Sequence, residues 1–325
     1  MESALNHLIR SFFIVAACSA SLAHAQAYPS RPITMMMPLA AGSSLDIVLR
    51  IITQKLSENL GQQVIVDNQP GAAGMIGAER FMRAAPDGYI FAAFNDSALT
   101  MVPNLKKKVA YDPVNSFAPV SLLVNNSWVL VAHPKLKAQT VADLIAQAKA
   151  QPGALNYSSG GVGSPQHIAM ALLESMAGIK LTHVPYKGTT QATVDVMSGQ
   201  IPMMFSGTNA VLAQIREGKL RALAVGATTR SPLLPEVPTA AESGLPGYEF
   251  VTWLGVYAPL HTPAPIIVRM NSEIARALAA PDLREKLIAQ AVDVRPSTPE
   301  QLGALTKARL EQMGRIIRDA GIAAE

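Results

Sequence analysis

The 325-residue chain is 49% hydrophobic and 15% charged, a composition that excludes disorder and leaves room for two domains with separate cores. Its formal net charge of +4 is mild. The one dense basic run, Lys106-Lys107-Lys108, has no interleaved aromatics, so it reads as a solvated loop and no nucleic-acid partner is expected.

The first predicted element is a leader. Arg10 precedes an apolar run over residues 12–17 that weakens towards 23, and Ala23-His24-Ala25 then supplies small-x-small before Gln26. Residues 1–25 therefore read as a signal peptide, too short in their apolar part to span a bilayer. A competing reading takes Val15-Ala16-Ala17-Cys18 as a lipoprotein box, which would leave Cys18 as a lipidated N-terminus. Cleavage after Ala25 removes Cys18, the single cysteine, and with it any thiol nucleophile, disulfide or thiolate metal site. No later apolar stretch reaches membrane-spanning length, so an exported, soluble periplasmic protein is expected.

Beyond the leader, strands and helices alternate. Residues 33–37, between Pro32 and Pro38, suit a buried strand, and Leu45, Val48, Leu49, Ile52 and Leu56 then follow helical spacing up to Gly61. A strand at 64–66, a glycine-rich loop at 70–74, a helix to about 85 and a strand at 89–93 continue the pattern. Thr140 with Asp143 predicts a capping box for a helix to about 151. Strand–helix pairs follow at 155–157 with 165–177, 181–184 with 190–198, and 202–205 with 209–217, then a strand at 221–225. After a strand at 253–258 the chain is helical over 265–279, 281–291 and 299–319. Proline-rich crossings at 113–119 and 232–246 place one lobe at 26–124 plus 250–325 and the other at 125–249. The alternation predicts an α/β fold of two lobes, each a mainly parallel sheet flanked by helices, with a ligand cleft between them.

The enzyme motifs are incomplete. Gly71, Gly74 and Gly77 lack dinucleotide-loop spacing, and Gly161-Val162-Gly163 has no third glycine. Ser164 and His167 lack a G-x-S-x-G setting, and Ser164 reads as a helix N-cap. The histidines beyond the leader, His133, His167, His183 and His261, show no zinc spacing. No cofactor and no metal are expected, and no catalytic residue is assigned. Two loops that end a strand and open a helix, residues 38–44 and 158–164, are rich in Gly, Ala and Ser. They fit either anion capture by helix N-terminal N–H groups and serine hydroxyls, or tight turns with N-caps only.

Several strings in fixed order identify a family: Ala85-Pro86-Asp87-Gly88-Tyr89, Tyr111-Asp112-Pro113 with Phe117-Ala118-Pro119-Val120, His183-Val184-Pro185-Tyr186-Lys187-Gly188 and Gly244-Leu245-Pro246-Gly247-Tyr248. With Trp253, Gly255 and Ala258-Pro259 they resemble the solute receptors of tripartite tricarboxylate transporters, the Bug family, over about residues 28–321. The resemblance implies a periplasmic receptor that closes two lobes on a small organic carboxylate and hands it to a two-component integral membrane transporter, acting as a monomer without turnover. A sensory subunit presenting its ligand to a receptor kinase would use the same closure, and a periplasmic enzyme is the remaining alternative. Carried over, the first loop supplies Leu39, Ala41, Gly42, Ser43 and Asp46, with Asp46 bracing the loop rather than facing an anion. The second loop supplies Tyr157, Ser159, Gly161, Gly163, Ser164 and His167.

The chain departs from that family's pattern at Ser43, Leu45, Gln69 and Met75. It also has Ser206-Gly207 where the family often has an aspartate. Ser206, counted as a ligand residue, removes a partner for a ligand ammonium. Leu45 and Met75 would add apolar wall if they face the cleft, which favours an aromatic or aliphatic dicarboxylate without an amino group.

Overall fold

The computed structural model describes residues 28–319, 321 and 322. The leader and Cys18 lie outside the described residues. Among the described residues no helix is long and apolar enough to cross a membrane.

The first sheet grows from three parallel strands in the order β2–β1–β3: β1 (Ile33–Met37), β2 (Val64–Asn68) and β3 (Ile90–Asn95). Between β1 and β2, α1 (Ser44–Leu60) buries Leu45, Val48, Leu49, Ile52 and Leu56 on one stripe and ends at Gly61, whose left-handed φ of 65° terminates it. Each of those side chains stabilises the fold by about 1.5–3 kcal/mol on burial. They share a core with α8 (Ala264–Ala279) and α9 (Pro281–Ala289) through Met270, Ile274, Leu283 and Leu287. The opposite face of the sheet is covered by α2 (Met75–Phe81) and α10 (Pro299–Asp319), over an aromatic cluster in which Phe94 lies 5.0 Å from Phe117 and 5.5 Å from Phe81.

One strand ties the molecule together. β4 (Phe117–Ala132) runs 16 residues. Its Phe117–Ser127 part pairs antiparallel with β9 (Val251–Pro259), which continues the first sheet from β3. From Trp128 onward it pairs instead with β7 (Met203–Gly207) and β8 (Arg221–Val225). Register shifts at Pro119/Ser121, Leu122/Val124 and Leu130/Val131 raise its twist, which lets one strand serve two sheets. The three-residue β10 (Val292–Val294) pairs with its middle.

The second sheet continues through β7, β5 (Asn156–Ser159) and β6 (Thr182–Pro185), all parallel. It is flanked by α4 (Val141–Ala150), α5 (Pro165–Ala177), α6 (Thr189–Ser198) and α7 (Thr208–Arg216). The capping box opens α4 as expected, with Thr140 Oγ1 accepting from Asp143 N–H and Asp143 accepting from Thr140 N–H. The fold is α/β and two-lobed. Its outer strands are parallel as anticipated, whereas the central pair β4–β9 is antiparallel because the chain crosses between lobes along it. The exchange of partners falls between Ser127 and Trp128, three residues past the boundary at 124 drawn from the proline-rich crossing.

Candidate functional site

Strand direction decides where a crevice forms. β1, β2 and β3 are parallel, so the loops after Met37, Asn68 and Asn95 leave the same sheet edge. β9 starts at that edge, with Leu254 opposite Asn95 and Thr252 opposite Asn126. Two residues further along β4, Trp128 pairs with Gly207, the carboxyl end of β7. The carboxyl ends of both parallel strand sets thus meet around Asn126 and Trp128, the position at which α/β folds bind ligands. A hydrogen bond from Asn209 Nδ2 to Ser44 Oγ joins the two sides. The N-termini of α1, α5 and α7 open from strand ends at this crevice, and their free N–H groups and dipoles favour an anion.

The first loop is braced from behind. Asp46, 1% exposed, accepts from Gly42 N–H at 2.8 Å and Arg50 Nε at 2.9 Å through one oxygen, and from Asn68 Nδ2 at 2.9 Å through the other. Burial pushes its carboxyl up, and the hydrogen bonds from Arg50, Asn68 and Gly42 outweigh that and bring it below the ordinary carboxylate range. Asn68 Nδ2 also donates to the Leu39 carbonyl at 3.0 Å. Ala41 and Gly42 stand exposed at the tip, Gly42 with a φ of 75°. Ser43 occupies the N-cap of α1, yet its hydroxyl makes no capping bond and is buried without a partner in the protein.

Pro38 starts this loop and is pressed from the side by α2. A Cβ on Gly77 would stand 2.9 Å from Pro38 Cβ and 3.0 Å from the Gln69 carbonyl oxygen. Of the three glycines without dinucleotide-loop spacing, Gly74 and Gly77 therefore serve close packing against the first loop. Leu45 and Met75 join the hydrophobic cores on the two faces of the first sheet. Leu45 is 6% exposed, and α1 turns it inward at helical spacing with Val48 and Leu49.

The second loop is built on rings. Tyr157, 1% exposed, His183 and His167 stack in order, with centroids 4.9 Å apart for Tyr157–His183 and 4.0 Å for His183–His167. His183 Nε2 lies 2.6 Å from Ser159 Oγ, and that hydroxyl also bonds the Gly161 N–H at 3.1 Å and carbonyl at 3.0 Å. His167 Nδ1 accepts from Gly163 N–H at 3.0 Å. Ser164 Oγ caps α5 by accepting from His167 N–H at 3.4 Å. Burial lowers both imidazoles, and the neighbouring His167 helps bring His183 to about 4. Gly163, with a φ of 74°, packs so closely on Leu105, at the end of α3 (Val102–Leu105), that a Cβ would collide with Leu105 Cδ1.

Ser206 is fully buried at the end of β7 and its hydroxyl has no partner in the protein. The same holds for Asn126 Oδ1 and Asn209 Oδ1, which neighbour Gly207, and for Asn95 Oδ1, Asp96 Oδ1 and Trp253 Nε1 at the ends of β3 and β9. Burial lifts the Asp96 carboxyl to about 8 against the opposing pull of Arg309, so it is neutral at pH 7. Unsatisfied buried polar groups are costly, and those of Ser206, Asn126 and Asn209 gather where the two strand sets meet, which makes this crevice the candidate site. Sequence reasoning missed Asn95, Asp96, Asn126, Asn209 and His183. Position beside a strand end or helix start was available for Asn95 and Asn209. Nothing in the sequence pointed to Asn126, because β4 itself went unrecognised. Trp128, whose Nε1 donates to Thr252 Oγ1 at 2.9 Å, and Trp253, 1% exposed, are core residues.

The model of the tripartite tricarboxylate transporter family receptor matches residues 48–322. The chain belongs to this receptor family. It is 36% identical over 314 residues to BugT of Bordetella pertussis, covering 95% of both chains. Among solved structures it resembles R. palustris Rpa4515 with adipate, at 30% identity and a TM-score of 0.85, covering 91% of this chain and 99% of that one. MatC from Rhodopseudomonas palustris with bound malate is 31% identical with a TM-score of 0.80, covering 89% of this chain and all of that one (100%). Among the described residues of this Bug-family receptor, no group of three or more His, Cys, Asp or Glu is arranged to hold a metal ion.

Proposed function

We propose that the receptor captures a small carboxylate lacking an amino group between its lobes, in the periplasm, and delivers it without turnover to integral membrane components of a tripartite transporter. The observation that carries this reading is the convergence of three helix N-termini on a crevice lined by buried, unpartnered Ser and Asn polar atoms. Adipate and malate in the related structures support a dicarboxylate. The two lobes we propose are residues 28–127 with 250–319, and 128–249.

The argument against an amine is electrostatic. Ser206 is neutral, Asp46 is consumed by Arg50, Asn68 and Gly42, and Asp96 is uncharged at pH 7. A ligand ammonium would lose hydration here without a countercharge. Thermal-shift titration of the purified receptor tests the reading. Adipate or malate at about 100 times its dissociation constant should stabilise the fold by about 2.7 kcal/mol. Aspartate and glutamate should give no shift. Stabilisation by aspartate alone would overturn the no-amine reading, and no response to any carboxylate in a broad panel would overturn the function.

A further inference from the structure

We propose that His167 and His183 are positioning residues for carboxylate capture: two stacked imidazoles hold the two ends of the 159–164 loop, and acid releases it. The inference rests on the carboxylate reading only for what the loop binds.

At the far end, His167 Nδ1 accepts the Gly163 N–H at 3.0 Å, which requires that nitrogen to be free of a proton. At the near end, His183 Nε2 meets Ser159 Oγ at 2.6 Å, and Ser159 in turn fixes both polar groups of Gly161. The rings lie 4.0 Å apart and within 10° of parallel, so each side of the loop is referenced to the other through the stack. A proton on His167 would set an N–H against the Gly163 N–H. A proton on His183 would place a cation directly over the neighbouring ring. The first event removes the acceptor of Gly163 and breaks the clamp there; the second leaves the His183 Nε2–H bond to Ser159 in place and loads the stack with charge.

The titratable groups around the stack are few. Tyr157 of β5 lies beneath His183, and its hydroxyl is held above its ordinary value by burial and Glu174. Glu174 of α5 accepts from Leu181 N–H at 2.7 Å, with Lys180 in the turn before β6. Asp195 of α6 is hydrogen-bonded by Tyr186. The direction in pH follows from the lowered imidazoles. The neutral, loop-holding form is complete above the ordinary histidine value of 6.5 and is lost as pH falls through the lowered values, about 4 for His183.

Imidazole nitrogen NMR on the full chain, followed with the Gly161 and Gly163 amides from pH 8 to 4, reads the clamp without any ligand. We expect His167 to carry its proton on Nε2 at neutral pH and the Gly163 amide to move with the ring titration. Malate calorimetry supplies the binding arm. Between pH 7.5 and 4 wild-type affinity should fall further than that of His167→Gln, whose amide oxygen accepts without titrating. Comparing the two chains cancels malate's own protonation. His183→Phe keeps a ring but no nitrogen, and should release the Gly161 amide at every pH. A Gly163 amide that stays still through the titration overturns the proposal, as does an acid drop that His167→Gln retains. Should malate bind neither chain at pH 7.5, the carboxylate reading fails for that probe and the amide titration alone decides the clamp.

Discussion

Asp46 and Asp96 are both buried carboxyls at the crevice edge, and their surroundings send them in opposite directions. Asp46 receives hydrogen bonds from Gly42, Arg50 and Asn68, which overcome burial and keep it ionised. Asp96 has one oxygen without a partner, and burial outweighs the pull of Arg309 and the backbone N–H groups of Asp96 and Ser97, so it holds its proton to about 8. Asp46 therefore fixes the loop while Asp96 offers the crevice a neutral polar group. Asp46→Ala leaves three donors without an acceptor, and should cost about 1–3 kcal/mol in denaturant unfolding. The Asp46 carboxyl is depressed in the fold, so its contribution is complete above the unfolded value near 3.8 and is lost as pH falls below it. Wild type and Asp46→Ala should accordingly converge in stability in acid, and a gap unchanged from pH 7 to pH 3 would contradict this role.

At the scale of elements, α2 acts on the site without touching it. Gly77 lets the helix lie against Pro38 and the Gln69 carbonyl, the two ends of neighbouring crevice loops. Gly77→Ala must push the helix away from backbone as well as side chain. It should destabilise the protein by about 1–3 kcal/mol and weaken malate binding in calorimetry, although position 77 lies outside the crevice. An unchanged affinity would detach α2 from the site. The helices and parallel strands were legible because their signals are local: helical spacing from Leu45 to Leu56, the Thr140–Asp143 box, and Ser164-Pro165 opening α5. β4 was not, since Pro119 looks like a strand breaker and Asn125-Asn126-Ser127 interrupts the apolar run. Pro119 is accommodated at a register shift, and the polar triplet sits where the strand changes sheets. For the same reason the serine–glycine loops could be read from sequence, while the ring stack beneath one of them could not. His183 and His167 meet only because β6 pairs with β5 under α5.

For the whole molecule, three links join the lobes. β4 passes straight through both sheets, the segment before β9 returns, and α10 lies on both sides. The first half of α10 packs on the first lobe through Leu302 and through Thr306, which bonds Tyr257 at 2.7 Å. Its second half enters the second lobe's core through Met313 and Ile317. On the proposed reading, such links let the lobes hinge while staying in register, so that ligand and closed form stabilise each other. The Asn209–Ser44 hydrogen bond exists only when the lobes meet, which makes it a latch. Removing it acts on the closed form alone, so malate dissociation should quicken about two- to thirteenfold, as expected for a hydrogen bond contributing about 0.5–1.5 kcal/mol, with association unchanged. Asn209 also has an unpartnered oxygen towards the crevice, and a direct ligand contact would give the same loss in Asn209→Ala. Ser44→Ala separates the two. If the bond is the latch, each single variant and the double variant should show the same faster dissociation in stopped-flow tryptophan fluorescence, since the second change removes nothing further. Additive effects would assign the two side chains independent roles. Small-angle scattering supplies the other half: the radius of gyration should fall on saturating malate in wild type, and a radius indifferent to malate in wild type and double variant alike would overturn closure as the binding step.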